Sequence, residues 1–248
     1  MAALSPLELA YCAAVLLLAY GLRGSTGFGG AVGMPLLALV LPIKALVPVW
    51  TLLGFTSSVA ILGRDRRHVS RRAFVEFIPW CLLGIAIGLY FFKTLDARTL
   101  ARGLGVLVLG YAIYSWWGSL RPPANPRHRV PRAFGPVAGA LSGAVGTIFG
   151  TMGTVFFSMY LDALGLAKEA FRATVSAMLL ALSCARGIGY FAVGEFTAET
   201  WLMFAAAFPL MLVGIYIGDR IHVNLSERTF RRLVSATLFL CGIPLLLR

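Results

Sequence analysis

The chain has 248 residues, of which 59% are hydrophobic and only 13% are charged, with a mean hydropathy of +0.83. That balance excludes a soluble globular protein and leaves no polar stretch long enough to form a soluble domain. The formal net charge of +12 does not by itself indicate nucleic acid. The basic residues collect in short loops, Arg64, Arg66, Arg67, Arg71 and Arg72 and then Arg121, Arg127, Arg129 and Arg132. The positive-inside bias of a polytopic membrane protein accounts for them, and a nucleic-acid or lipid-headgroup patch is the sharper alternative.

A hydrocarbon core of about 30 Å takes about 20 apolar residues in helical form. In chain order, the apolar segments predicted are 7–22, a short one at 30–41, then 45–62, 74–92 and 100–118. The first is read as a retained helix and not a signal peptide, because no Lys or Arg precedes Arg23. A link follows at 121–132, RPPANPRHRVPR, whose four prolines rule out a continuous helix. After it come 133–149, a short segment at 153–164, then 170–193, 199–218 and 229–247. The expected fold is an all-α polytopic membrane protein of 8–10 membrane segments, with halves 1–120 and 133–248 on either side of the link.

The halves look duplicated. At an offset of 130, Pro79, Leu82, Gly84, Ile85, Ile87, Gly88, Leu95, Arg98, Thr99 and Arg102 fall on identical residues from Pro209 to Arg232, ten identities in 24 positions. Upstream, an offset of 124 sets Gly29 on Gly153 and Lys44 on Lys168. The arginine-rich loop at 63–72 and its counterpart at 194–200, which holds Glu195 and Glu199, call for opposite sides of the membrane. An inverted repeat is therefore expected, with the N-terminus outside and the link inside. Eight helices in two parallel fours are the alternative.

Two glycine-dense stretches interrupt apolar sequence, GLRGSTGFGGAVGMP at 21–35 and GALSGAVGTIFGTMGTVFFSM at 139–159. Irregular backbone at membrane depth is tolerated only where it is buried in protein or lines a cavity. Such breaks aim half-helix N-termini at anions. Ser25, Thr26, Gly27, Gly29 and Gly30 would supply hydroxyls and amides from the first break. Thr147, Gly150, Thr151, Gly153 and Thr154 would do so from the second, facing the first across a pseudo-twofold axis. Close packing through small residues is the competing explanation, and it is the expected role of Gly84 with Gly88 and Gly214 with Gly218. Under the 124 offset Thr154 replaces Gly30 and Met159 falls near Pro35, which predicts an asymmetric site.

Ionisable groups inside apolar segments are costly to bury and so are candidates for function. Arg23 adjoins the first break, and Arg186 lies in SCARGIGYF; arginine suits a bidentate oxyanion contact. Lys44 and Arg172 are read as snorkelling to an interface. Cys184 is a candidate contact for the substrate, although a buried cysteine more often acts as a small hydrophobe. Asp162 is the candidate for coupling to a proton, with a helix-end role as its alternative. Cys12, Cys81, Cys184 and Cys241 have no metal-ligand spacing, so neither a disulfide framework nor a metal site is expected. His68, His128 and His222 lie in or beside charged loops, which leaves an intramembrane enzyme without a dyad or metal cluster at depth. No cofactor is expected.

GFGGAVGMPLLALVLP resembles the signature of the TauE/SafE-type sulfite exporter family, whose closing helices are similar to FPLMLVGIYIGDRI and FRRLVSATLFLCG. The resemblance spans essentially the whole chain. It implies secondary transport of a small sulfur-containing anion, such as sulfite, an organosulfonate or thiosulfate, across a bacterial inner membrane. The residues alone reach an anion but not sulfur, and they leave an anion channel open.

Overall fold

The computed structural model describes residues 5–26, 30–65, 68–120, 134–220 and 227–247. Among them are ten helices: α1 (Pro6–Thr26), α2 (Gly30–Ala38), α3 (Ile43–Asp65), α4 (Arg71–Thr94), α5 (Ala97–Leu120), α6 (Phe134–Phe149), α7 (Gly153–Ala163), α8 (Lys168–Ala192), α9 (Ala198–Arg220) and α10 (Glu227–Leu247). Each falls on a segment predicted from the apolar runs. The link expected at 121–132 lies outside the described residues, as do His128 and His222.

Among the described residues, five helices are long and apolar enough to cross a membrane, within α1, α3, α4, α8 and α9. Their outer faces are apolar as well: Val75, Leu82, Leu83, Ile87 and Tyr90 of α4 are all exposed, as are Leu202, Leu212, Val213 and Tyr216 of α9. Apolar surface of that extent needs a nonpolar surrounding. Proline sits inside α2, α3, α4, α9 and α10 at Pro35, Pro48, Pro79, Pro209 and Pro244, as membrane helices tolerate where neighbours satisfy the freed carbonyls. The chain is an all-helical integral membrane protein.

The helices gather into two compact units, and each draws on both halves of the sequence. One comprises Met1–Leu46, Asp96–Ala124 and Ala207–Arg248; the other comprises Val47–Leu95 and Asn125–Ala206. In the first unit the short helix α2 packs against α1, α5 and α10, with Met34, Leu37 and Ala38 essentially inaccessible. Tyr11 ties α1 to α2 by donating its hydroxyl proton to the Leu36 carbonyl at 3.1 Å. In the second unit α4, α6, α7 and α8 enclose a core of Phe77, Cys81, Ile85, Phe157, Leu161 and Met178. There the Phe77 ring stacks on Tyr160 at 5.0 Å.

Glycines set the closest approaches within both units. A methyl group on Gly84 would collide with the Ala140 carbonyl of α6, and one on Gly88 would lie 2.8 Å from Thr147 Cβ. The equivalent positions on α9 behave alike: a methyl on Gly214 would lie 3.0 Å from the Leu17 carbonyl of α1, and one on Gly218 would collide with Gly21. Backbones that approach so closely gain dispersion contacts that larger side chains would forbid.

Candidate functional site

The matched glycine contacts fix a register between the two halves. Gly84 and Gly214 match at 130, so their partners Ala140 and Leu17 match at 123, and so do Ala144 and Gly21. The helix ends agree. Thr26 and Phe149 close α1 and α6, and Gly30 and Gly153 open α2 and α7, again 123 apart. The expected offset of 124 is therefore one residue off in this region. The helix α7, at 11 residues, is two longer than α2 at 9. Downstream, α3 and α8 accordingly open 125 apart, at Ile43 and Lys168. Gly153 stands opposite Gly30, Gly150 opposite Gly27, Met152 opposite Gly29 and Ser158 opposite Pro35. The differences include a threonine for Phe28, a methionine for Gly29 and a serine for Pro35, and not the expected loss of Gly30.

The second break is three residues long, Gly150 to Met152, between α6 and α7. Gly150 takes φ of 71° and Met152 takes φ of 63°. Glycine enters this left-handed region freely, whereas a methionine pays for it. Ser142 Oγ, buried in α6, donates to the Gly153 carbonyl at 2.8 Å, drawing the start of α7 back onto α6. There is no room for a side chain at that point, since a methyl on Gly153 would lie 2.5 Å from the Ser142 carbonyl. The negative end of α6 and the positive end of α7 thus meet at one buried place.

Arg186 brings a cation to it from α8. Its side chain is 7% exposed. It donates from one terminal nitrogen to the Gly146 carbonyl at 2.6 Å and from Nε to the Leu182 carbonyl at 3.3 Å, with Ser183 Oγ 3.5 Å from the other terminal nitrogen. One helical turn further on, Tyr190 donates its hydroxyl to the Thr147 carbonyl. Arginine and tyrosine therefore serve carbonyls of the last α6 turn, which the break deprives of helical partners. Thr147 is buried and spends its own hydroxyl on the Gly143 carbonyl at 2.7 Å. Thr151 is buried, and Thr154 is half-buried at the start of α7. One turn beyond Thr154, Ser158 is 6% exposed and its hydroxyl makes no hydrogen bond among the described residues.

The structure thus brings together Thr147, Gly150, Thr151, Gly153 and Arg186, with Thr154 adjoining. It does not bring in Cys184, which is exposed; two residues along a helix is about 200° of rotation, so it points away from the Arg186 side. Asp162 lies in α7 with its side chain outside the described residues.

In the first unit Arg23 occupies the last turn of α1 and is 6% exposed. A cation there complements the negative end of its helix. Ser25 and Thr26 close α1, and Gly30 opens α2. The side chains of Ser25 and Thr26 fall outside the described residues, and so do Gly27 and Gly29 altogether. Residues not anticipated from sequence are Ser142, Met152, Ser158, Ser183 and Tyr190. Of these, Ser183 and Tyr190 were legible from sequence, being three positions before and four after Arg186 and so on the same helix face. No group of three or more potential metal ligands occurs among the described residues.

Comparison with known proteins agrees with this architecture. The chain is 27% identical over 199 residues to the probable inner membrane transporter protein TsaS of Comamonas testosteroni, covering 78% of this chain and 80% of that protein. No solved structure matches it. Residues 12–245 match the family model of the sulfite exporter TauE/SafE. The chain belongs to the sulfite exporter TauE/SafE family, and it is an integral inner-membrane transporter, not an enzyme.

Proposed function

We propose that the protein is a secondary transporter moving a small sulfur-containing anion, of the sulfite, thiosulfate or organosulfonate class, through a site built at its two glycine-rich helix breaks. The observation that carries this reading is the second break, where a buried arginine and the N-terminus of a short helix meet at one place. A helix N-terminus offers unpaired amides and a partial positive charge to an anion. A guanidinium adds a full charge and a planar set of donors matched to oxyanions. Arg186, Thr151, Gly153 and Thr154 form the second-half contribution in this reading. Arg23, Ser25, Thr26, Gly27, Gly29 and Gly30 are its counterpart in the first half. Ser158 joins them as a buried hydroxyl with a proton and lone pairs still to place. Asp162 is the proposed coupling group for a proton.

The inverted repeat belongs to the same proposal: the matched contacts, α4 meeting α6 as α9 meets α1, support the repeat, and the opposite charge of the loops at 63–72 and 194–200 supports its inversion. The test is uptake of labelled sulfite, thiosulfate and a simple sulfonate into proteoliposomes, for the unaltered protein and for Arg186→Ala and Gly153→Leu. Saturable uptake with counterflow, lost in both variants, is the expected result. Undiminished uptake in both would remove the second break from the pathway. Large single-channel currents would replace the carrier with a channel.

A further inference from the structure

The helices α5 and α10 of the first unit pack closely against each other. Gly105 lies beside Gly242 and Leu246, and a methyl on Gly242 would lie 2.5 Å from Leu109. The two helices are therefore antiparallel. Beyond that contact, toward the end of α5 and the start of α10, they leave a groove of about 470 Å³ lined by Ile113, Trp116, Trp117, Ser235, Phe239 and Leu240. Trp117 and Leu240 stay largely exposed, whereas Ser235 is buried at the floor. Nothing in this lining can recognise a charged solute. Its apolar walls suit a hydrocarbon chain, and paired tryptophans near a helix end are typical of the depth where acyl chains meet headgroups.

The charge beside the groove selects the headgroup. In sequence, the first two turns of α10 read Glu227, Arg228, Thr229, Phe230, Arg231 and Arg232, three arginines against one glutamate. Arg231 and Arg232 precede Ser235 by four and three positions, which is roughly 4.5 to 6 Å along the helix axis. That places the basic turn just past the groove on the side where the tryptophans lie. Basic clusters at the membrane surface attract anionic lipid by about 1 kcal/mol per residue, equivalent to roughly five-fold in affinity. We propose that this groove is a specific site for one anionic phospholipid, its acyl chain against Trp116, Trp117 and Phe239 and its phosphate at the first turns of α10. The proposal does not depend on the transport reading.

Tryptophan fluorescence tests it in the full-length protein reconstituted in phosphatidylcholine vesicles. Equal small fractions of brominated phosphatidylglycerol or brominated phosphatidylcholine are added as quenchers. The difference between the unaltered protein and a Trp116→Phe/Trp117→Phe variant isolates the groove from the chain's three other tryptophans, Trp50, Trp80 and Trp201. The expected result is several-fold stronger quenching of that component by the glycerol lipid. In Arg231→Gln/Arg232→Gln the preference should collapse toward unity while quenching by the choline lipid persists. Equal quenching by both lipids in the unaltered protein would mean ordinary boundary lipid and would overturn the proposal. So would a preference that survives loss of both arginines. Quenching by neither lipid, with a crosslinkable dimer through Trp117, would assign the groove to a second copy instead.

Discussion

Arg186 donates to the carbonyl of Gly146 across 2.6 Å, and Gly146 stands in register with Arg23, the buried arginine of the first break. Each break therefore has one arginine beside it, supplied in one half by the helix that ends there and in the other by a helix that arrives 40 residues later. The cation recurs although the position that encodes it does not. Arg186→Ala leaves the Gly146 carbonyl buried without this donor, at a cost of roughly 1–3 kcal/mol. Thermal unfolding in detergent should fall accordingly, and Arg186→Lys should recover part of the stability while losing the planar fork. If Lys restores full uptake, a point charge suffices and bidentate recognition is not needed.

Glycine contacts separate packing from conformation. Gly84→Ala and Gly218→Ala each set a methyl group into a neighbouring backbone, and overpacking of this kind costs about 1–3 kcal/mol. Gly110 and Gly187 have nothing within 4 Å of an added methyl. Alanine there should be neutral or stabilising by up to about 1 kcal/mol, since it restricts the unfolded chain and favours the helix. Yield and melting temperature of the four variants should sort into two pairs.

Gly150→Ala tests the break itself. At φ of 71° an added Cβ should cost about 1–2 kcal/mol whatever space surrounds it. Gly165→Ala, at φ of 64° with nothing within 4 Å, serves as a control with the same backbone penalty outside the breaks. Comparable losses in melting temperature, with uptake impaired only in Gly150→Ala, would tie the conformation of the break to transport.

Asp96 gives the prediction for pH. It precedes α5, where its carboxylate accepts from the Thr99 hydroxyl and from the Thr99 and Arg98 amides at 3.3 and 3.2 Å. These bonds, the Thr99 hydroxyl foremost, hold its pKa below the ordinary value. A carboxyl whose pKa is depressed on folding stabilises above its unfolded pKa, and that contribution is lost as pH falls through the folded value. Asp96→Asn should therefore melt earlier than the unaltered protein near neutrality, and the gap should close in acid. A gap independent of pH would mean that the cap does not depend on charge.

Much of the fold was legible because its causes are local. Apolar runs of membrane length mark the long helices, and glycine density marks both breaks. What stayed hidden depends on partners distant in sequence. The one-residue slip in register could be seen only once Gly84 and Gly214 were found against their partners on α6 and α1, because glycine and alanine are too common in these segments to anchor an alignment. Ser142 and Tyr190 matter through carbonyls on the far side of a break, and no spacing rule announces that. Cys184 shows the limit from the other direction: nearness to Arg186 in sequence placed it on the opposite side of the helix.

The contact of α9 with α1 sets an order of assembly. Gly21 near the start of the chain meets its glycine partners Gly214 and Gly218 only after some 190 residues more have been synthesised, and α10 closes the same unit later still. The first helix must wait in the bilayer, unpartnered on that face, until nearly the whole protein has been inserted. Release of a chain truncated before α9 should leave α1 exposed to membrane proteases, whereas a fragment beginning after the link, supplied separately, should rescue it.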